Sequence, residues 1–411
     1  MLRIAIVGLP NVGKSTLFNA LTNGNILAAN YPFATIEPNT GIVPVPDARL
    51  DVLAAMYKTD KIVPATVEFV DVAGLVAGAS KGEGLGNKFL ANIRECDAIC
   101  HVVRAFENDK ILRQTGDAEN DVAPNPAADI EIIKTELALA DIATIEKHLP
   151  KLMKELKANP KIRTKIDYLT SVQNELLTGK APTSWNYELL DGLNLLSAKP
   201  VIYLFNVDEN GLTDKDLQKN LIGTIEPKSP AVFSESSSRK CVNGATRVTG
   251  SPVDGDVTPR ESLDALRDEE KIAGDFVISN CVFICAELES QIRELSTVEA
   301  QELLADYGVS ESGLSQLARA AYETLGLQSF LTAGEKEVRA WTIKRDSTAP
   351  QAAGVIHTDF ERGFIAAQIV DYNDLIAAGS IANARAAGKV RTEGKTYIMQ
   401  PGDVVEFRFN V

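Results

Sequence analysis

The chain has 411 residues, enough for two or three domains and a sizeable core, with 45% apolar and 24% charged residues. Lysine and arginine number 42 against 56 aspartate and glutamate, a net charge of −14, and that acidic field argues against a coat for free nucleic acid or anionic membrane. No apolar run approaches a membrane span, the N-terminus carries no leader pattern, and five cysteines make no disulfide scaffold, so a cytoplasmic protein with reduced thiols is expected.

Arg3–Val7 reads as a buried strand and Lys14–Thr22 as the helix after it. Val67–Val70, Ala98–Val103, Val201–Phe205 and Val282–Cys285 are further apolar runs, separated by helical patterns. That alternation predicts an α/β fold with a parallel-rich sheet covered on both faces. Ile142, Ile145, Leu149, Leu152 and Leu156 are spaced for one helix face, and Ile162, Ile166, Leu169, Val172 and Leu176 for another, with Asn159-Pro160 between them. These stripes predict an antiparallel, coiled-coil-like helical hairpin. Residues 223–272 are rich in Ser, Pro, Gly and Thr and read as a long flexible loop, helical only at Leu263–Ala273. Val338–Ile343, Phe364–Val370 and Val404–Phe409 are β-like runs in a compact terminal module. The predicted organisation is a nucleotide domain from 1–128 and 197–334, an inserted helical domain from 129–196, and a C-terminal module from 335–411.

Gly8-Leu9-Pro10-Asn11-Val12-Gly13-Lys14-Ser15 follows the first strand and opens a helix. This is the setting in which a glycine-rich loop turns its backbone N–H groups around phosphate oxygens at a helix N-terminus. Lys14 is placed to reach the β- and γ-phosphates and Ser15 to ligate Mg²⁺. Asp71 closes an apolar run and can hold the metal's water shell, and Gly74 brings its N–H to the γ-phosphate. Thr35, in the segment between, can complete the metal shell. Lys14, Asp71 and Gly74 are therefore the candidate catalytic groups.

After the strand at Val201–Phe205 comes Asn206-Val207-Asp208-Glu209. Guanine-specific P-loop proteins read N-K-x-D here, their Asp accepting both guanine N–H groups. Val207 and Glu209 replace that Lys and Asp, and the added methylene of Glu209 displaces the carboxylate from a bidentate contact. Asn206 can still orient the base and Val207 can pack on its face, so relaxed or adenine-preferring recognition is expected. Cys285-Ala286-Glu287 stands where such proteins carry a second base loop. The separation of Gly74 from Asn206, 131 residues, far exceeds the ~50 that one helix, strand, helix and their loops need. The surplus fits the helical hairpin.

These motifs, with YPFATIEPNTG at 31–41, the run at 69–95, HVVRAFEND at 101–109, AGEKEVRAWTI at 333–343, APQAAGVIHTDFERGFIAAQ at 349–368 and GDVVEFRFNV at 402–411, resemble the Obg family of translation-factor-class P-loop NTPases. Within it, the chain resembles the YchF or Obg-like ATPase subfamily. The resemblance implies a P-loop ATPase domain, an inserted helical domain and a C-terminal TGS domain of β-grasp fold. It implies Mg²⁺-dependent ATP hydrolysis and association with ribosomes through the TGS and helical domains. The nucleotide residues it carries over are Asn11, Val12, Gly13, Lys14, Ser15, Thr16, Asn206 and Val207, with Glu209 kept from the base loop, and the metal residues Ser15 and Thr35. Many relatives carry a His after FEND, where this chain has Arg113. Residues 223–272 have no counterpart and read as a spacer.

Leu75 follows Gly74, where many GTPases place a water-orienting Gln, so slow intrinsic turnover is expected. Gly78, Gly82, Gly84 and Gly86 suit a nucleotide-sensing switch in that segment. His101 reads as a core residue, His148 as exposed and His357 as structural or RNA-facing. The C-x₃-C pairs Cys96/Cys100 and Cys281/Cys285 read as buried thiols. Residues 335–411 carry ten basic and ten acidic residues, and Arg385, Lys389, Arg391 and Lys395 form a candidate RNA-facing patch. A monomer is the expected state. An Obg-type GTPase, or a nucleotide-regulated RNA- or ribosome-binding protein with negligible hydrolysis, are the competing readings.

Overall fold

The computed structural model describes residues 2–22, 39–72, 85–108, 123–182, 184–225 and 280–410. Thr35, Gly74, Leu75, the glycines at 78–84, Arg113, Leu263–Ala273 and nearly all of 223–272 lie outside them. The first strand, β1 (Arg3–Val7), leads to α1 (Lys14–Thr22), β2 (Thr40–Pro44), α2 (Arg49–Tyr57), β3 (Ile62–Val63), β4 (Thr66–Asp71), α3 (Leu85–Glu95) and β5 (Ala98–Arg104). Beyond them come α4 (Pro126–Glu155), α5 (Arg163–Leu177), α6 (Tyr187–Leu190), β6 (Val201–Asn206), α7 (Lys215–Gly223) and β7 (Cys281–Ile284). Three helices close this part: α8 (Ala286–Ile292), α9 (Thr297–Asp306) and α10 (Gly313–Thr324). Among the described residues no helix is long and apolar enough to cross a membrane.

The first sheet has the order β2-β4-β1-β5-β6-β7. Strand β1 is apolar throughout its centre because both faces are covered: Ile4, Ala5, Ile6 and Val7 are fully buried between parallel neighbours β4 and β5. All pairings are parallel except β2, which runs antiparallel to β4 at the edge. Leu17 and Leu21 of α1, Leu53 of α2, Ile93 of α3 and Leu317 of α10 join the sheet in one core. The parallel strands therefore all end on one edge, the position where open α/β sheets bind ligands.

Helix α4 begins at Pro126, with Asn125 accepting the Ala128 N–H at 3.2 Å as its cap. Its first half belongs to the nucleotide domain: Ile133, Leu137 and Ala140 pack in the main core. The helical unit's own core starts at Ile142, later than the expected boundary at 129. There Ile142 and Ile145 meet Leu169, Val172 and Leu176 of α5, as the periodicity predicts. Asn159 accepts the Lys161 N–H at 3.2 Å and starts the 3₁₀ turn at Pro160–Ile162 that reverses the chain. The returning segment adds Leu190, Leu193 and Leu195, so the unit is a covered hairpin. Buried Asp141 fastens it by accepting the N–H groups of Leu196 and Ser197 at 2.8 and 2.7 Å.

The C-terminal sheet is built from β8 (Leu327–Ala333), β9 (Val338–Lys344), β10 (Phe364–Asp371), β11 (Arg391–Glu393) and β12 (Asp403–Phe409). Helices α11 (Ala349–Ile356), α12 (Thr358–Arg362), α13 (Tyr372–Ala378) and α14 (Ile381–Ala386) connect them. A β8–β9 hairpin, a crossing helix, and β12 returning parallel to β8 make a β-grasp arrangement. The module begins at Leu327, ahead of the expected 335, because β8 is the partner β9 and β12 both need. Its far edge is closed by β3, whose Ile62 and Val63 pair in parallel with Val338 and Arg339. The Lys61–Glu337 ion pair at 2.6 Å and a hydrogen bond from Arg49 to the Pro401 carbonyl flank this joint. His357 caps α12 through Nδ1, which accepts the Asp359 N–H at 3.2 Å. His148 is half-buried, less exposed than expected.

Candidate nucleotide site

The loop after β1 arches over the sheet edge. Asn11 and Gly13 take positive φ, 63° and 89°, which turns successive N–H groups to one side, as an anion cradle requires. Gly13 cannot be replaced without cost: a Cβ there would stand 2.1 Å from Asn206 Nδ2. A Cβ on Gly8 would meet the Val102 carbonyl of β5 at 2.7 Å. Ser15 and Thr16 lie exposed in the first turn of α1, beneath the loop.

Lys14 Nζ donates to the Val72 carbonyl at 3.2 Å. Burial pulls the Lys14 pKa down, while the charge of Asp71 opposes that shift. Burial pushes the Asp71 carboxyl up, and Lys14 opposes it. Among the described residues, buried Asp71 Oδ1 has no hydrogen-bond partner. Each group therefore stabilises the other's charge incompletely. The pair is suited to an anion on the lysine side and a cation on the aspartate side. The Asp71 N–H donates to the Asn39 carbonyl at 2.9 Å, fixing β4 against the start of β2.

Asn206 ends β6 with its side chain bridging two loops. Nδ2 donates to the Val12 carbonyl at 3.0 Å, and Oδ1 accepts the Ala286 N–H at 3.0 Å. At 4% exposure it is a strut joining the phosphate loop to the loop opening α8. Val207 is 2% exposed and packs with Val103, Ile130, Phe205 and Leu221. Its side chain therefore presents no face to a base; its N–H donates to the Ile284 carbonyl at 2.9 Å. Glu209 is half-buried, at the turn before a 3₁₀ helix at Asn210–Leu212, and its charge is felt by Cys285.

The structure thus brings Lys14, Ser15, Asp71 and Asn206 to one edge. The sequence reading missed Arg104, a cation closing the apolar strand β5 on the same edge. Its signal was a charge ending an otherwise apolar run. His101 is buried and its pKa is pulled down to about 3 by burial, so it is a neutral core residue. Cys96, Cys100 and Cys285 are buried thiols and Cys281 is half-buried.

Comparison with known proteins agrees over the full length. Residues 3–139 match the family described as "50S ribosome-binding GTPase". Residues 327–410 match the YchF-GTPase C-terminal family, described as "Protein of unknown function (DUF933)". A Pasteurella multocida protein named "Ribosome-binding ATPase YchF" is 45% identical over 415 residues, covering 100% of this chain and 99% of the relative. The chain belongs to the YchF family. The Bacillus subtilis protein of the same name is 43% identical, with 100% of both chains covered. The solved YchF GTPase of Schizosaccharomyces pombe superposes with a TM-score of 0.72 at 34% identity, covering 99% of this chain and 97% of that one. The C-terminal YchF match begins at Leu327, the first residue of β8.

Proposed function

We propose that the chain is a Mg²⁺-dependent ATPase that prefers ATP to GTP, turns over slowly alone, and changes its contact with the ribosome according to the nucleotide held. The observation that carries this reading is the Lys14–Asp71 pair beneath the positive-φ loop, with an Asp71 oxygen that has no partner among the described residues. An all-oxygen donor set suits Mg²⁺, which takes one or two protein oxygens beside phosphates and water. Ser15 and Thr35 would ligate it and Asp71 would hold its water shell. When bound, Mg²⁺ supplies neutralisation of the charge that builds on the β- and γ-oxygens.

The rest falls to the chain. Asn11 through Thr16 surround the phosphates with N–H groups and the N-terminus of α1. Lys14 places a cation at the β- and γ-oxygens, and Gly74 supplies an N–H to the γ-phosphate. Because Asn206 is committed to the loops and Val207 to the core, base selection rests on Glu209 and backbone groups. A carboxylate one methylene beyond the usual reach favours adenine over guanine. Leu75 cannot orient an attacking water, so rapid turnover needs a group or an ordering contact from a partner. The relatives are named as ribosome-binding, and we place that contact on the helical and C-terminal units. RNA contact at Arg385–Lys395 is weakened by neutralisation: Lys389 faces Asp374 at 3.1 Å and Arg391 faces Asp403 at 3.7 Å.

Titration of ATP and GTP against the purified chain with Mg²⁺ tests the reading. ATP should bind more tightly, and Lys14→Ala should abolish binding of both. GTP binding tenfold tighter would overturn the base preference. Phosphate release at background with ribosomes present would overturn the ATPase.

A further inference from the structure

Arg104 closes β5 at the edge where the phosphate loop, Asp71 and Asn206 converge. It is a cation at 4% exposure, and an arginine is buried only where its charge and donors are met. Nε donates to the Phe106 carbonyl and Nη2 to the Asn108 carbonyl, both at 3.2 Å. The guanidinium also lies over the Phe106 ring, 4.9 Å from its centroid. One planar group therefore shapes residues 105–108. Burial lowers the Arg104 pKa and the charge of Asp129 opposes that shift; Asp129 is 3% exposed in the first turn of α4, where its neighbour Ile130 packs with Val103 of β5.

The other side of Arg104 is the nucleotide frame. Its backbone is in register with Asn206, and the Ala105 N–H donates to the Asn206 carbonyl at 2.8 Å. Asn206 in turn holds the Val12 carbonyl, and two residues before Arg104 the Val102 carbonyl confines Gly8. Helix α4 runs on without interruption from Asp129 into the helical unit. Arg104 thus lies between the two: the neighbouring Ala105 N–H holds Asn206, which holds the phosphate loop, and the adjacent Val103 packs with Ile130 of the helix that carries the insertion.

We propose that Arg104 is a positioning residue that couples the helical insertion to the nucleotide site, by holding the 105–108 segment and the first turn of α4 against the strand edge that frames the phosphate loop. The proposal rests on the ATPase reading for its kinetic consequence only. The fork geometry matters: lysine offers a compact ammonium that keeps the charge opposite Asp129 but cannot serve two carbonyls and a ring face together. Glutamine leaves Asp129 buried without its cation.

The test uses the full chain and the variants Arg104→Gln, Arg104→Lys and Asp129→Asn. Amide exchange of residues 126–133 is followed by mass spectrometry, without nucleotide and with Mg²⁺ and ATP. Wild type should slow exchange in this turn on adding nucleotide. Arg104→Gln should lose that response and exchange there on the order of tenfold faster, with α5 unchanged. Steady-state turnover should show kcat lowered about tenfold with KM and ATP affinity within about twofold. Arg104→Lys should restore part of both, and adding Asp129→Asn to Arg104→Gln should bring little further loss. A nucleotide response preserved in Arg104→Gln, or wild-type α4 indifferent to nucleotide, overturns the coupling. Equal damage from Arg104→Lys and Arg104→Gln to α5 as well as α4 reduces Arg104 to a fold element and also overturns it. A wild type that binds ATP without turnover defeats the ATPase reading alone, since exchange still decides the coupling.

Discussion

Glu289 carries a prediction whose sign follows from its surroundings. It lies on α8, just after the loop that Asn206 holds, and is 4% exposed. Oε1 accepts the Gly313 N–H at 2.6 Å, at the start of α10. Burial raises its pKa from 4.5 to about 7, although the N–H groups of Gly313 and Leu314 pull the other way. Below pH 4.5 the carboxyl is protonated in both folded and unfolded chains and contributes no pH dependence. Between 4.5 and about 7 the folded chain keeps a proton that the unfolded chain has released, so stability falls as pH rises. Above 7 both states are charged and the whole cost stands, about 3 kcal/mol as an upper figure. Glu289→Gln keeps the shape and an oxygen for Gly313 while removing the charge. Its amide nitrogen meets the Leu314 N–H unfavourably, which offsets about 1 kcal/mol. The variant should therefore be about 1–2 kcal/mol more stable than wild type at pH 8 and less stable at pH 4.5. Urea unfolding at half-unit steps from pH 4.5 to 8.5 measures the difference. A difference that stays flat across that range would refute the buried-carboxylate reasoning.

Gly13→Ala forces a side chain into positive φ and drives Asn206 off the Val12 carbonyl; ATP affinity should fall at least tenfold, read by the same titration, with a stability loss of about 2–4 kcal/mol. Leu169→Ala empties the centre of the helical unit and should destabilise it by about 2–5 kcal/mol while ATP affinity stays at the wild-type value. Loss of nucleotide binding there would deny that this core is separate. His101 should show ring resonances that do not titrate between pH 5 and 8, because burial holds it neutral down to about pH 3; a midpoint near 6.5 would place it in water.

What the sequence disclosed was whatever repeats locally. The apolar stretches of β1 and β5 announced a sheet buried on both faces, and the stripes through Ile145 and Leu169 announced the helix pair. The loop at 8–15 was legible because its glycines, lysine and serine act within one turn of chain. Long-range partners were not legible. A two-residue strand such as Ile62–Val63 exists only because Val338 and Arg339 lie beside it. Strand β8, LQSFLTA, has weak alternation and is defined by β9 and β12. The strut role of Asn206 was not legible, because its two amide bonds run to residues 194 and 80 positions away. Val207 is likewise claimed by a core assembled from three other strands and helices.

The loan of Ile62–Val63 to the last sheet has a practical corollary. A fragment cut at Leu327 would leave the backbone of β9 bare along Val338–Arg339, a raw border of N–H and C=O groups that invites self-association. The tail is therefore finished only by a piece of the head. A soluble tail fragment should need residues 61–64 restored, as a fused or added peptide, before it stops clumping.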